Sequence, residues 1–311
     1  MKLHRAILAI VFVVLTGLGR AEVAALLTEA EYGDFNTVKA LLDGGAEIDV
    51  TNQNGQTPLM IAANMGKLDM VQLLIDRGAN INAIDRNRWS VLIHSAITAQ
   101  ADVVRLLIAK GADVKAAARF EHTALIAAAQ GTGGTDPRLL VAALEGRALV
   151  RPKPGNLVEA LRLLLDAGLD PNARDGHMKL PPIELDAVSY DPEAVRLLLE
   201  RGAKIDPAIE SRDRPNAGLL VNMATRRSPE IVLMLIKAGS DVNGHGPDRW
   251  SALMMASAYN DADTVRVLIE NGADVNYRIK AGRTALSVAP GSCESPVVRL
   301  LKKAGATGRC D

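Results

Sequence analysis

The chain has 311 residues, with 36 lysines and arginines against 36 aspartates and glutamates, so its formal net charge is zero. A balanced charge argues against a nucleic-acid binder, which needs a basic face to displace counterions from phosphates. Hydrophobic residues make up 48% of the chain, too many for a disordered protein, while aromatic residues make up only 3%. The two cysteines are too few for a disulfide-dense scaffold. The composition therefore favours small helices packed through Leu, Ala, Val and Ile.

The N-terminal segment has the pattern of a secretory signal peptide. Lys2 and Arg5 precede an apolar run that extends to Leu18, and small residues follow up to Ala21. The run is shorter than the roughly 20 apolar residues of a membrane-spanning helix, so we expect a signal peptide over residues 1–21, cleaved after Ala21. Cleavage would remove three basic residues and leave a net charge of −3. An uncleaved anchor and a buried helix are the alternatives.

One pattern recurs along the rest of the chain. A glycine followed by a small or apolar residue occurs eight times, at spacings of 33, 33, 57, 34, 37, 33 and 33 residues. The stretch before seven of the eight glycines has apolar residues at i, i+3 and i+4, as in Val71, Leu74 and Ile75, and the last has Val298 and Leu301, which indicates one stripe of an α-helix. Because the C′ position after a helix favours positive φ, each glycine is predicted to end a helix. The eight positions are Gly45, Gly78, Gly111, Gly168, Gly202, Gly239, Gly272 and Gly305.

Capping residues mark where these helices begin. The pairs Asp191-Pro192, Ser228-Pro229 and Ser295-Pro296 each place an N-cap residue before a proline at the first helical position. A second, shorter helix is predicted earlier in each repeat. Its clearest start is Thr57-Pro58-Leu59, and another begins at Pro181-Pro182-Ile183. The sequence therefore predicts two helices per repeat, joined to the next repeat by a polar turn.

This unit resembles the ankyrin repeat. A turn, Thr-Pro-Leu, two antiparallel helices and an ending such as Gly-Ala-Asp-Val-Asn at residues 272–276 follow one another every 33 residues. The resemblance covers about residues 23–308 in eight copies, and it departs where the family has histidine after the leucine, as at Met60. It implies an all-α solenoid of about eight helix-turn-helix repeats with short β-turn fingers over residues 22–311. It also implies a non-enzymatic module that binds another protein through the concave face formed by its fingers and first helices.

Two irregularities interrupt the repeats. An insert of 24 residues at about 132–155 falls between the two helices of the fourth repeat. Its glycines superficially suggest a phosphate cradle, but the Lys-Ser/Thr of a P-loop is missing. The insert is interpreted either as an arm that contacts a partner or as a tolerated surface insertion. Four extra residues before Leu219 predict a longer finger at residues 206–218.

Cys293 and Cys310 flank the last predicted helix. In an oxidising compartment a disulfide between them would close the terminal repeat, with a stabilisation of about 3 kcal/mol in the chain-entropy model. Free thiols and a metal pair are the alternatives.

The sequence holds no recognisable catalytic or metal-binding motif. We expect no catalytic residue, no metal and no cofactor. A hydrolase that uses the insert as a lid stays as a further alternative. The histidines that would remain after processing lie in different repeats, and they are His94, His122, His177 and His245.

The predicted fingers supply the candidate partner-binding residues. Arg88-Trp89 and Arg249-Trp250 recur just before the first helix of their repeats and contain the only tryptophans. Aromatic and arginine side chains dominate protein interfaces, although either tryptophan could instead cover the neighbouring repeat. The candidate set is Arg88, Trp89, Phe120, His122, His177, Arg249, Trp250, Tyr277 and Arg278.

The export pattern and the resemblance together predict where the protein works. An export signal without an N-glycosylation sequon fits a bacterial periplasmic protein. We expect a monomer with no membrane span after cleavage that binds another protein and no nucleic acid. Exported bacterial proteins similar to this one include accessory factors for a periplasmic enzyme, such as a catalase that removes peroxide, and antidotes that inhibit envelope-acting toxins. An envelope-tethered structural role through an uncleaved N-terminus is the third alternative.

Overall fold

The chain is described by a computed structural model that covers residues 20–131, 156–174, 176, 179–185, 191–205, 218–246 and 248–308. These residues form short α-helices and two 3₁₀ turns, and no β-strand is present among them. They divide into two compact units, one within Met1–Tyr190 and the other within Asp191–Asp311. None of the helices in the described ranges is long and apolar enough to cross a membrane.

The first unit is built from stacked helix pairs. Its helices are α1 (Arg20–Tyr32), α2 (Phe35–Asp43), α3 (Pro58–Asn64), α4 (Leu68–Asp76), α5 (Val91–Ala96), α6 (Ala101–Ala109), α7 (Ala124–Gln130) and α8 (Leu157–Asp166). The first helices of successive pairs, α1, α3, α5 and α7, pack on one another, and so do the second helices α2, α4, α6 and α8. The 3₁₀ turns lie at Arg119–Glu121 and Pro182–Glu184, and the second of them packs on α7.

The second unit repeats this arrangement. Its helices are α9 (Pro192–Glu200), α10 (Leu219–Thr225), α11 (Pro229–Lys237), α12 (Ala252–Ala258), α13 (Ala262–Glu270), α14 (Ala285–Val288) and α15 (Pro296–Lys303). The helices α10, α12 and α14 form one layer, and α9, α11, α13 and α15 form the other. One helix pair cannot bury its own apolar face, so each pair depends on its neighbours in the stack. The predicted all-α repeat fold is confirmed.

Local chemistry at the helix ends sets this pattern. At the start of α3, the Thr57 hydroxyl accepts a hydrogen bond from the Met60 N–H at 3.3 Å. At the end of α4, the Gly78 N–H donates to the Ile75 carbonyl at 3.0 Å, and the backbone turns through Gly78 at a φ of +89°. A side chain is strained at such a φ, so glycine is the residue that ends the helix cleanly. The prediction is confirmed at all eight glycines, whose φ angles lie between 87° and 104°.

The proline-linked caps agree in two cases of three. The Asp191 carboxylate accepts from the Glu193 and Ala194 N–H groups, and the Ser295 hydroxyl accepts from the Val298 N–H. Ser228 precedes its helix as expected, but its side chain makes no capping hydrogen bond. The serine of that pair therefore marks the boundary without stabilising it through its hydroxyl.

In several repeats an apolar side chain fills the position at which the family has histidine. Met60, Ile93 and Met254 are each 0% exposed in the first helices of their repeats. Burial of one such side chain contributes about 2 kcal/mol, so these residues join the stack through packing instead of hydrogen bonding. Small residues such as Ala63 and Ala256 on the same helices let neighbouring pairs approach closely.

One further sequence prediction differs from the structure, and others concern residues that the structure does not describe. The expected first helix of the fifth repeat is a single 3₁₀ turn, Pro182–Glu184, in the described residues. Its prolines lack N–H donors, and the turn closes through hydrogen bonds from Glu184 and Leu185. The insert at 132–155, most of the finger at 206–218 and all but the end of the predicted signal segment lie outside the described residues.

The turns between repeats form short fingers. Single antiparallel bridges close three of them, at Ile84 with Ser90, Ala117 with Thr123 and His245 with Ser251. Asparagine side chains then tie some of these fingers to the next turn. The Asn82 side-chain oxygen accepts from the Asp113 N–H, and the Asn243 oxygen accepts from the Asp274 N–H, both at 2.8 Å. Within the described residues, β-turn fingers are therefore present, and these hydrogen bonds hold neighbouring fingers in register.

Candidate functional site

Asp85 organises the second finger, which comprises residues 79–90. Its Oδ1 accepts hydrogen bonds from the backbone N–H groups of Asn87 at 2.8 Å and Trp89 at 2.9 Å. Its own N–H donates to the Trp89 carbonyl at 3.0 Å, which closes the loop. Within this loop Arg88 has a φ of +65°, in the left-handed region that non-glycine residues seldom occupy. The carboxylate thus holds the tip of the finger in one conformation.

The second oxygen of this carboxylate reaches into the helical layer. Asp85 Oδ2 lies 3.2 Å from His94 Nε2 on α5, and both side chains are only 3% exposed. An ionised carboxylate can only accept, so the proton of this bond lies on Nε2. Burial raises the pKa of Asp85, but hydrogen bonds from His94 and from the Trp89 and Asn87 N–H groups outweigh it and lower the pKa. The carboxylate therefore stays ionised.

Trp89 connects the second finger to the third, which comprises residues 112–123. Its ring stacks on the His122 ring, with centroids 5.7 Å apart and planes at 7°. The same indole lies 5.5 Å from the His94 ring at 57°. Two imidazoles therefore contact Trp89, which leaves the side chain half-buried. This is the contact expected of a tryptophan that covers the neighbouring repeat.

Phe120 stands at the tip of the third finger. Its side chain is 65% exposed, the highest value among the exposed large hydrophobic residues, and its φ is +59°. Its carbonyl accepts a hydrogen bond from the Gly176 N–H in the following finger at 2.5 Å. A Cβ at Gly176 would lie 2.6 Å from that carbonyl oxygen, so a side chain there would break the contact. The third finger therefore holds an aromatic ring towards solvent on a fixed backbone.

The second unit has a comparable junction between its last two fingers. These are the sixth finger (residues 240–251) and the seventh finger (residues 273–284). The Tyr277 ring stacks on the His245 ring, with centroids 4.7 Å apart and planes at 28°. The Tyr277 hydroxyl donates to the Arg249 carbonyl at 3.1 Å. Arg249 has a φ of +63°, nearly that of Arg88, and its side chain is exposed.

The comparison with known families agrees with this geometry. The family model described as ankyrin repeats (3 copies) matches residues 26–118 and 220–309, which together exceed half of the chain. The chain belongs to the ankyrin repeat family. No curated protein matches it. Ankyrin repeats are protein–protein interaction modules and generally non-enzymatic scaffolds, and the fingers are part of that module.

The ankyrin fingers contain the candidate residues as two sets. In the first unit, Arg88 and Trp89 lie on the second finger, and Phe120 and His122 lie on the third. In the second unit, the set is Arg249 and Trp250 on the sixth finger with Tyr277 and Arg278 on the seventh. His177 lies outside the described residues.

The Asp85–His94 pair was not among the residues singled out from the sequence. His94 lies directly after the family's usual histidine position, and no local pattern links it to an aspartate nine residues earlier. His94 Nδ1 is buried and has no hydrogen-bond partner in the described part of the chain. No serine or cysteine there completes a catalytic arrangement with this pair, whose contacts are those of a clamp between finger and helix.

Neither a metal site nor a free thiol is found among the described residues. Among the described residues, no group of three or more His, Cys, Asp or Glu side chains could hold a metal ion. Cys293 precedes α15, and no free cysteine occurs in the described ranges. Cys310 lies outside them, so the Cys293–Cys310 disulfide stays a prediction.

Proposed function

We propose that this ankyrin repeat protein is exported and holds a partner protein through the tips of its fingers. The observation that carries the proposal is that stacked aromatic rings join adjacent fingers while arginines stand exposed at their tips. Trp89 stacks on His122 beside Arg88, and Tyr277 stacks on His245 beside Arg249. The same combination occurs once in each unit.

Such tips are preorganised for binding. A residue held in the left-handed region costs on the order of 1 kcal/mol, and Arg88 and Arg249 both adopt it. The hydrogen bonds of Asp85 and Tyr277 hold these loops in place before any partner arrives. A loop that is already ordered loses less entropy on binding, which leaves more of the contact energy for affinity.

Export is the second part of the proposal. The basic start, the apolar run and the small residues before Ala21 favour cleavage by signal peptidase. The resemblance to exported accessory proteins favours a partner that is itself an envelope enzyme, for example a catalase. Intact-mass measurement of the protein recovered from the periplasm tests the first step. The expected mature chain begins at Glu22, and an uncleaved chain would instead support an anchored protein.

The binding function is tested by capture of partners from an envelope extract on the tagged full-length protein, followed by mass spectrometry. The informative variant is Arg88→Ala with Arg249→Ala, which removes one exposed tip cation in each unit. The matched control is Arg105→Ala with Arg266→Ala, which removes one exposed helical arginine in each unit. We expect the tip variant alone to lose the partner. Equal retention by both variants would overturn the assignment of binding to the finger tips.

A further inference from the structure

The seventh finger carries an excess of positive charge. Arg278, Lys280 and Arg283 occur in the seventh finger, and no acidic residue lies between Asp274 and Glu294. Arg249 adds a fourth exposed cation on the sixth finger, which also carries two exposed acids, Asp241 and Asp248. The chain as a whole is neutral, so this concentration of positive charge is local.

These four cations have no carboxylate partner within the described residues. The Arg278 guanidinium donates to the Gly282 carbonyl of its own finger, and the other three make no ion pair there. Helical arginines of the same unit differ. Arg266 pairs with Asp263 at 3.0 Å, and Arg196 pairs with Glu230. The helical carboxylates therefore pair with arginines, whereas Asp241 and Asp274 of the two fingers accept the backbone N–H groups of Asn243 and Asn276.

The two tips are held together by the junction described above. The Tyr277 hydroxyl donates to the Arg249 carbonyl, and its ring stacks on His245. This brings the backbone that bears Arg249 next to the backbone that bears Arg278. The Ile279 N–H donates to the Arg283 carbonyl at 3.1 Å, which closes the seventh finger and fixes the bases of Lys280 and Arg283. The four cations therefore belong to one small patch on a rigid support.

We infer that Arg249, Arg278, Lys280 and Arg283 form a docking patch for an acidic segment of the partner protein. The inference rests on the proposed function and specifies the chemistry of the partner. The planar guanidinium fork matches a carboxylate, so three arginines and one lysine are suited to a run of Asp and Glu. Four unpaired cations close together repel one another, and an acidic segment would relieve that repulsion.

Other anionic surfaces fit less well. A membrane surface favours exposed apolar side chains among the cations, and among the described residues none of the exposed large hydrophobic side chains lies in the sixth or seventh finger. A nucleic acid favours a long basic face, whereas Asp241, Asp248 and Asp274 lie on the same two fingers. The patch is small and bordered by acids, which favours a short acidic stretch of protein.

The test measures fluorescence anisotropy of a labelled oligo-glutamate peptide with the full-length protein, from low to high ionic strength. The tip variant changes Arg249, Arg278, Lys280 and Arg283 to Gln. The matched control changes four exposed helical cations to Gln and so removes the same charge: Lys237, Arg266, Arg299 and Lys303. Circular dichroism confirms that both variants keep their helices. Oligo-lysine, vesicles containing phosphatidylglycerol and single-stranded DNA serve as competing probes.

We expect salt-sensitive binding of the glutamate peptide that weakens about tenfold in the tip variant and changes little in the control. Equal weakening in both variants, no binding by the wild type, or preference for vesicles or DNA would overturn the inference. The partner-capture experiment can succeed or fail independently of this peptide-binding result. If the tip-arginine dependence of capture holds while the glutamate peptide fails, only the acidic chemistry of the partner is wrong.

Discussion

Asp85 Oδ2 and His94 Nε2 lie 3.2 Å apart, buried between the second finger and helix α5. The same carboxylate accepts the Asn87 and Trp89 N–H groups, so one side chain connects the exposed tip to the helical layer. Arg88 lies between Asn87 and Trp89, the two residues whose N–H groups donate to Asp85. The conformation of a partner-binding loop therefore depends on a buried pair beneath it.

Asp85→Asn should destabilise the protein by about 2 kcal/mol, because a buried charge-assisted hydrogen bond to His94 is lost. Asp263→Asn is the matched control, since it breaks an exposed pair with Arg266 and should cost less than about 0.5 kcal/mol. Urea unfolding followed by circular dichroism measures both. Equal losses of unfolding free energy in the two variants would show that the buried pair stabilises the protein no more than the exposed pair does.

The stabilisation from Asp85 should depend on pH with a defined sign. Its pKa in the folded protein is lowered, so its stabilisation is fully present above the unfolded value of about 3.9 and is lost as pH falls through the folded pKa. The gap in unfolding free energy between wild type and Asp85→Asn should stay constant at neutral pH and shrink below about pH 4. Unfolding curves at a series of pH values measure that gap. A difference in unfolding free energy that grew at low pH would contradict a lowered pKa of Asp85.

Trp89→Ala should cost about 2 kcal/mol, because the indole loses its contacts with His94 and His122. The substitution therefore tests packing as well as recognition. Arg88→Ala, at the exposed neighbour, should change stability by less than about 0.5 kcal/mol. Thermal unfolding distinguishes the two. Unchanged stability of Trp89→Ala would mean that the stack holds no finger in place.

Gly272→Ala should destabilise the second unit by about 1 kcal/mol through backbone strain alone. Gly272 has a φ of +90°, and an added Cβ would meet nothing within 4 Å. Gly44→Ala is the contrasting change, since Gly44 has a φ of −78° and alanine accepts that conformation. The two changes are compared by their midpoints in thermal unfolding. A cost at Gly44 that matched the cost at Gly272 would refute the role of φ.

Local chemistry explains which features the sequence could predict. Helix bounds, caps and terminal glycines follow from residues a few positions apart, so Thr57, Gly78 and Asp191 could be assigned directly. The repeat length also predicts which residues of neighbouring repeats lie close together, because residues about 33 positions apart face each other, as Trp89 and His122 do. The Asp85–His94 bond could not be predicted, since it depends on how a finger folds back onto its own helix. The missing Ser228 cap depends on side-chain orientation, which residue type does not determine.

The central claim is that the finger tips contact the partner. Site-specific photo-crosslinking in the intact cell tests it most directly, with the crosslinker placed at Arg88 or Arg249 and, as controls, at Arg105 or Lys237 on the helices. We expect a discrete crosslinked partner from the tip positions and none from the helical positions. Crosslinks from Arg105 or Lys237, with none from the tips, would contradict it.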